Sequence, residues 1–141
     1  MDDLKYNKLP RIIDFPKILD PRGNLSFIEE HNQIPFQILR TYWIYDVPGG
    51  EFRGSHAFKN THEIIVALSG SFDIVLHDGK NESRYSLNRS YYGLYVPSLI
   101  WKRIENFSTN SLALILASTR FDANDYIRDF AEFSKLTSYE N

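Results

Sequence analysis

The feature that most restricts the fold of this chain is a series of short apolar runs, each ended by a turn signal. The runs lie within residues 12–118 and are rich in β-branched and aromatic side chains, which favour strands. Turns are indicated at Pro48-Gly49-Gly50, Ser69-Gly70, Asp78-Gly79 and Pro97-Ser98. About nine to ten strands at this spacing are typical of an all-β barrel or sandwich.

The C-terminal tail follows a different pattern. Asp122 is a suitable N-cap, and Asp125 can take the place of the usual Glu in a capping box. The apolar residues that follow recur at helical spacing: Tyr126, Ile127, Phe130 and Phe133. The sequence therefore predicts one C-terminal helix over about 122–136, packed against the barrel. The length of 141 residues suits a single domain that spans residues 1–141.

The composition excludes several classes of protein. A net charge of −2 gives no sign of the basic surface that binds nucleic acid. There are no cysteines, so disulfides and thiolate metal sites are excluded. The sequence shows neither the apolar core of a signal peptide nor a run of about 20 apolar residues that could span a membrane. We therefore expect a soluble cytoplasmic protein with no nucleic-acid or membrane partner.

Residues 53–63 carry the densest group of side chains able to move protons, including two of the four histidines. Period two places His56 on one strand face with Phe58. A metal site in a barrel of this size would need a His-x-His pair and a further histidine on a later strand. Phe58 occupies the second position of that pair, and no histidine follows His77. The spacing therefore argues against a bound metal.

His56 is the best candidate for acid–base chemistry, because imidazole titrates near neutral pH. It can take a proton from a carbon made acidic by an adjacent carbonyl. His62, Glu63 and Tyr95 are candidates for the partner or orienting group. From composition alone, a hydrogen-bonded core histidine is the favoured alternative.

A negatively charged ligand would have to be held by side chains, since no glycine-rich phosphate loop precedes a helix. The candidates are Arg22, Arg40, Arg53, Lys59, Lys102 and Arg103. Arg40 differs from the others because it shares a strand face with Ile38 and Tyr42, and an unpaired buried charge is costly. Its partner is either an anionic ligand or an internal Asp or Glu.

Residues 53–59, Arg-Gly-Ser-His-Ala-Phe-Lys, resemble the Arg-Gly-x-His-x-His-Lys segment of the sugar-nucleotide 3,4-ketoisomerases. These are small cupins that act on dTDP-4-dehydro-6-deoxy-D-glucose. Three further segments resemble the family: Ile-Pro-Phe…Arg-Thr-Tyr at 34–44, Gly-Leu-Tyr…Trp at 93–101, and Leu-Ala-Ser…Asp-Tyr-Ile-Arg at 116–128. The resemblance is collinear from about residue 12 to 135, which makes it more specific than any one segment.

The resemblance implies a cupin double-stranded β-helix, a jelly-roll barrel, in a homodimer that exchanges N-terminal strands. It implies an isomerase that works without a metal, a nicotinamide or any other cofactor. A base removes the proton at sugar C3, an enediol forms, and a proton returns at C4. The substrate would be a dTDP-linked 4-keto-6-deoxyhexose, and the product would serve deoxy-sugar or amino-sugar assembly in bacterial surface glycans such as lipopolysaccharide.

The resemblance also implies roles for individual residues. His56 matches the family's first histidine and is expected to be the base, with Tyr95 and His62 as further catalytic candidates. The expected substrate-binding residues are Arg22, Arg40, Tyr42, Arg53, Lys59, Trp101 and Lys102. Arginines would hold the diphosphate, and aromatic rings would pack on thymine or sugar.

Phe58 is where the chain departs from the family, because it replaces the second histidine. His56 then makes both proton transfers, or another group (His62, Tyr95 or a water) takes over, or the protein is slow or only binds a dTDP-sugar. A cupin of the 3,5-epimerase type is a further alternative. Arg22 resembles the residue of galacto producers, whereas Lys102 matches neither class, and we expect the galacto product.

Overall fold

The structure is a computed structural model that describes residues 9–138. Its first six strands are β1 Arg11–Asp14, β2 Lys17–Ile18, β3 Leu25–Ser26, β4 Arg40–Tyr45, β5 Arg53–Phe58 and β6 Glu63–Ser69. The other six are β7 Phe72–His77, β8 Glu82–Leu87, β9 Tyr92–Val96, β10 Trp101–Glu105, β11 Leu112–Ala117 and β12 Tyr126–Ile127. A 3-10 helix covers Ala123–Asp125, and one α-helix, α1, covers Phe130–Ser138.

The strands form two five-stranded antiparallel sheets that face each other across the main core. The first sheet has the order β1-β9-β6-β11-β4, and the second has the order β12-β5-β10-β7-β8. β2 and β3 form a separate hairpin. The prediction of an all-β cupin double-stranded β-helix is confirmed.

Alternation along the strands separates an inner face from an outer face. On β6, Ile65 and Ala67 join the core between the sheets. Their neighbours Ile64 and Val66 join a second cluster on the outer face of the first sheet. Residues before β4 cover that outer cluster: Phe15, Ile34 and Phe36. Residues 63–67 of β6 are therefore buried on both faces of the sheet.

The tail differs from the helix predicted over about 122–136. Asp122 caps a turn of 3-10 helix, with its carboxylate accepting the Asn124 N–H at 3.0 Å. The chain then extends, and Tyr126 pairs with Phe58 on β5. Buried Asp125 causes the break, because its carboxylate accepts hydrogen bonds from the Asn60 N–H at 2.8 Å and from the Thr61 hydroxyl. The α-helix therefore begins only at residue 130.

Helix α1 packs on the outside of the second sheet. Phe133 is fully buried there in a small cluster with Ala57 and Ile127. At nine residues, α1 is short, and within residues 9–138 no helix has the length and apolar character needed to cross a bilayer.

Candidate active site

A cavity of about 490 Å³ opens between the two sheets, a size typical of small-molecule sites. It is lined by Tyr42, Trp43, Ile44, Arg53, Gly54, Ser55, His56, Lys102, Ile104, Ile115, Tyr126 and Arg128. Strands from both sheets and the short β12 therefore contribute to one site. We call it the barrel cavity.

His56 lies on the inner face of β5, opposite Lys102 on β10. Its Nε2 atom is buried and has no hydrogen-bond partner among the described residues. Burial, together with the positive charges of Lys102, Arg128 and Arg40, lowers the pKa of His56 to about 3. The imidazole is therefore neutral at neutral pH and able to accept a proton.

Arg53 and Gly54 shape the entrance of the barrel cavity. Gly54 has a φ of 90°, a conformation that glycine tolerates better than other residues. The pairing of β5 with β10 shifts register at this point, between Lys102 and Ile104. The irregularity leaves Arg53 exposed at the rim while His56 points inward.

A buried network stands beside His56. Glu63, on the inner face of β6, is 1% exposed and accepts hydrogen bonds from the Tyr42 hydroxyl and the Lys102 ammonium. Lys102 is 3% exposed, and its ion pair with Glu63 offsets the cost of burying the ammonium. Burial, and after it the negative charge of Glu63, raises the pKa of Tyr42, which keeps its proton. The network fixes a positive charge and a protonated phenol at the wall of the barrel cavity.

Phe58 lies behind the cavity and not on its surface. It is 5% exposed, and its ring centroid is 4.9 Å from that of His56 and 4.6 Å from that of Tyr126. Lys102 Nζ lies 5.2 Å from the Phe58 ring centroid, and the Arg40 guanidinium carbon lies 6.0 Å from it. Phe58 therefore supports His56 and offers its face to two cations.

Arg40 remains a candidate for binding an anion. Its Nε atom is buried without a hydrogen-bond partner among residues 9–138. The guanidinium lies against the rings of Tyr42 at 5.5 Å and Phe121 at 5.8 Å. No carboxylate of the described residues forms an ion pair with it, which favours an anionic ligand over an internal partner.

His62 and Tyr95 come together, but on the outer face of the first sheet. Their side chains approach at 3.3 Å, and the Ser98 N–H donates to His62 Nδ1 at 3.2 Å. Both rings stack near Phe36 in the outer cluster. Burial raises the pKa of Tyr95 to about 12 and lowers that of His62. Neither side chain lines the barrel cavity.

Three predicted binding residues also lie outside the barrel cavity. Trp101 points to the outside of the second sheet and packs on α1, with its ring centroid 5.2 Å from that of Phe130. Lys59 is exposed just after β5. Arg22 is exposed between β2 and β3, where it forms an ion pair with Asp20 at 2.8 Å. The structure thus brings together His56, Tyr42, Arg53 and Lys102 in the cavity, with Arg40 adjoining.

Tyr126 and Arg128 line the cavity but are missing from the predicted site residues, and the sequence indicates Glu63 as a partner or orienting group of His56. Tyr126 and Arg128 belong to the Asp-Tyr-Ile-Arg ending that resembles the family, so the signal was present. The predicted helix over about 122–136 does not place these two side chains in the barrel cavity. Within residues 9–138, no three His, Asp or Glu side chains converge as metal ligands do.

A cupin barrel whose inner face carries a neutral histidine among several cations is suited to proton transfer on an anionic substrate. The family model FdtA (WxcM-like, C-terminal) matches residues 8–138. The chain therefore belongs to the FdtA family.

Named relatives of this chain are sugar-nucleotide isomerases. It is 41% identical over 131 residues to a TDP-4-oxo-6-deoxy-alpha-D-glucose-3,4-oxoisomerase from Aneurinibacillus thermoaerophilus, covering 93% of this chain and 94% of the relative. The WlaRB TDP-quinovose 3,4-ketoisomerase from Campylobacter jejuni has a similar structure, with a TM-score of 0.87, 41% identity and coverage of 91% and 98%. A mutant QdtA 3,4-ketoisomerase from Thermoanaerobacterium thermosaccharolyticum, in complex with TDP-4-keto-6-deoxyglucose, gives a TM-score of 0.90, 33% identity and coverage of 92% and 94%.

Proposed function

We propose that this protein is a sugar-nucleotide 3,4-ketoisomerase that converts dTDP-4-keto-6-deoxy-D-glucose into a dTDP-3-keto-6-deoxyhexose. The observation that carries the proposal is His56, a neutral imidazole whose buried Nε2 has no partner among the described residues, inside a cavity bordered by cations. The named relatives act on, or are bound to, sugars of this kind.

His56 takes the proton from sugar C3 and returns it at C4. The electrons of the C3–H bond form the C3=C4 double bond of an enediol, whose collapse places the carbonyl at C3. Among residues 9–138, His56 is the only histidine that lines the cavity, so one imidazole makes both transfers on one face of the sugar. The Lys102 charge stabilises negative charge that develops on the sugar oxygens.

The diphosphate is held by arginines near the cavity mouth. Arg53 and Arg128 line the cavity, and Arg40 has an unsatisfied donor close by. Guanidinium groups suit this task because their planar donors match two phosphate oxygens. Tyr42 faces the sugar from the first sheet, and Lys102 faces it from the second sheet beside His56.

The protein acts as a homodimer in this proposal, with the β2–β3 hairpin of each copy placed on the other. The hairpin exposes apolar side chains that a partner would cover: Ile18, Leu19, Leu25 and Phe27. It also carries Arg22, which lies outside the barrel cavity of its own chain. Light scattering should give a dimer, and Leu19→Asp should shift the mass toward the monomer.

We expect the galacto configuration at C4 of the product, because Arg22 resembles the residue that the family's galacto producers carry at this position. The enzyme would work in the cytoplasm. Its product would be a precursor of sugars for bacterial surface glycans. The coupling constants of the C4 proton in the NMR spectrum of the trapped product distinguish galacto from gluco.

The direct test is incubation of the protein with dTDP-4-keto-6-deoxyglucose in D₂O, followed by NMR. A 3-keto product with no exchange at C5 supports the ketoisomerase. Deuterium at C5 would indicate a 3,5-epimerase. Thermal stabilisation by dTDP without any turnover would indicate a binding protein.

A further inference from the structure

The isomerisation moves two hydrogens, and His56 accounts for only one of them. One proton travels from C3 to C4. The other must leave the C3 hydroxyl and reach the oxygen on C4, because the ketone and the alcohol exchange places. This second path requires a group that can both donate and accept a proton between two neighbouring oxygens.

Tyr126 is positioned to reach the same part of the cavity as His56. It lies on β12, directly opposite Phe58 of β5, and its side chain lines the cavity. Its ring centroid is 4.9 Å from that of His56 and 4.6 Å from that of Phe58. The tilted contact with the His56 ring and the edge-on contact with the Phe58 ring restrict the direction of the phenol.

The hydroxyl of Tyr126 differs from the Tyr42 hydroxyl and the Lys102 ammonium because it forms no hydrogen bond with a described residue. The Tyr42 hydroxyl is committed to Glu63. The Lys102 ammonium is paired with the same carboxylate. Of these three groups, only the Tyr126 hydroxyl can turn toward a sugar oxygen without breaking a buried hydrogen bond.

Arg128 supplies the electrostatic support that such a role needs. Its guanidinium carbon lies 4.4 Å from the centroid of the Tyr126 ring, and both side chains line the cavity. A cation at this distance stabilises the negative charge of a phenolate formed during the reaction.

We propose that the Tyr126 hydroxyl carries the proton between the two sugar oxygens. As His56 takes the C3 proton, Tyr126 donates its phenolic proton to the oxygen on C4, and the enediol forms. The phenolate beside Arg128 then takes the proton of the C3 hydroxyl. The C3–oxygen double bond forms as the His56 imidazolium protonates C4, and both residues return to their starting states.

This role rests on the proposed ketoisomerase activity and is tested by Tyr126→Phe. We expect kcat to fall by about 10²–10⁴-fold, the range of general acid–base help, with dTDP affinity and melting temperature unchanged. Exchange of the C3 proton in D₂O should fall in parallel, because the enediol cannot form without a proton at the oxygen on C4. Tyr85→Phe, which removes a hydroxyl outside the cavity, is the matched control and should leave kcat unchanged.

An active wild type with an equally active Tyr126→Phe variant would contradict this role alone. C3 exchange that continues at the wild-type rate would contradict the first of these transfers, since the C3 proton would then leave without a Tyr126 proton at the oxygen on C4. A wild type that forms no 3-keto product would contradict the proposed function and this role with it.

A second substitution keeps both the ring and the hydroxyl. Replacing Tyr126 by 3,5-difluorotyrosine gives a more acidic phenol of nearly the same size. The alkaline limb of the kcat profile should then move to lower pH. An unmoved limb would exclude Tyr126 as the group that must be protonated.

Discussion

The two histidines of the polar stretch 53–63, His56 and His62, lie on opposite faces of the barrel wall and have opposite environments. His62 Nδ1 receives the Ser98 N–H and contacts the Tyr95 hydroxyl on the outer face. His56 Nε2 is buried on the inner face without a partner among the described residues.

Burial lowers the pKa of both side chains, but their neighbouring charges act in opposite directions. Asp125 offsets part of the shift at His62, whereas Lys102, Arg128 and Arg40 deepen it at His56. One histidine is therefore held by its structural contacts, and the other is free for a substrate. Residue type and burial alone do not separate a reactive histidine from a structural one.

The largest contrast is expected in turnover. His56→Asn should lower kcat by about 10³-fold or more, because the base for both proton transfers is lost. His62→Asn should retain kcat within about threefold, since the ring is outside the cavity. Steady-state kinetics with the 4-keto sugar measure both. Equal losses in the two variants would place His62 in the catalytic machinery.

The next contrast concerns stability inside and outside the barrel. Glu63→Gln should cost about 3–5 kcal/mol of unfolding free energy, because Lys102 stays buried without its counter-charge. Glu105→Gln is the control: its ion pairs with Arg84, at 3.1 Å, and with Arg103 lie on the surface and should contribute at most about 1 kcal/mol. Urea unfolding compares the two. Similar losses would show that the inner pair is not desolvated.

The pH dependence of stability should also separate the two histidines. The folded-state pKa of His56, about 3, lies below the unfolded value of about 6.5. The unfolded chain therefore binds the proton first, and stability falls as pH drops below about 6.5. His56→Asn should remove about 1–2 kcal/mol of this loss between pH 7 and 5, since one proton changes stability by up to about 1.4 kcal/mol per pH unit. His62→Asn should remove less, and an unchanged slope in His56→Asn would show that His56 is not desolvated.

The smallest effect is expected for Tyr95→Phe. Loss of its contact with His62 should cost about 0.5–1.5 kcal/mol of stability and leave kcat within about threefold. Tyr126→Phe should show the reverse pattern, with lost turnover and retained stability. Melting temperatures and kcat values of Tyr95→Phe and Tyr126→Phe test this contrast. A catalytic defect in Tyr95→Phe would show that the outer cluster controls the site.

The strands, and the inward direction of His56, were predictable because period two and turn signals are local properties. The choice of face at Tyr95 was not predictable in this way. Its neighbours Leu94 and Val96 point inward while Tyr95 is itself buried on the outside, so both faces of β9 are apolar. Alternation of apolar and polar residues shows which face of a strand points to the core only where the other face is polar.

The tail was mispredicted because a long-range contact overrides local propensity. Thr61 and Asn60 bond to Asp125 across the chain and hold residues 126–127 in a strand. Glu63 was hard to assign for a related reason. A carboxylate in a strand-like run is not identifiable as buried until its partners, Tyr42 and Lys102, are brought to it by the fold.

The fate of the C3 hydrogen shows directly whether one shielded imidazole makes both proton transfers. The substrate is deuterated at C3, converted in H₂O by the wild-type protein, and the product is examined by deuterium NMR. We predict that part of the deuterium appears at C4, because His56 Nε2 is sheltered from water and has no partner among residues 9–138 to take the label. Complete loss of the label to water from the first turnovers would contradict the single-base account.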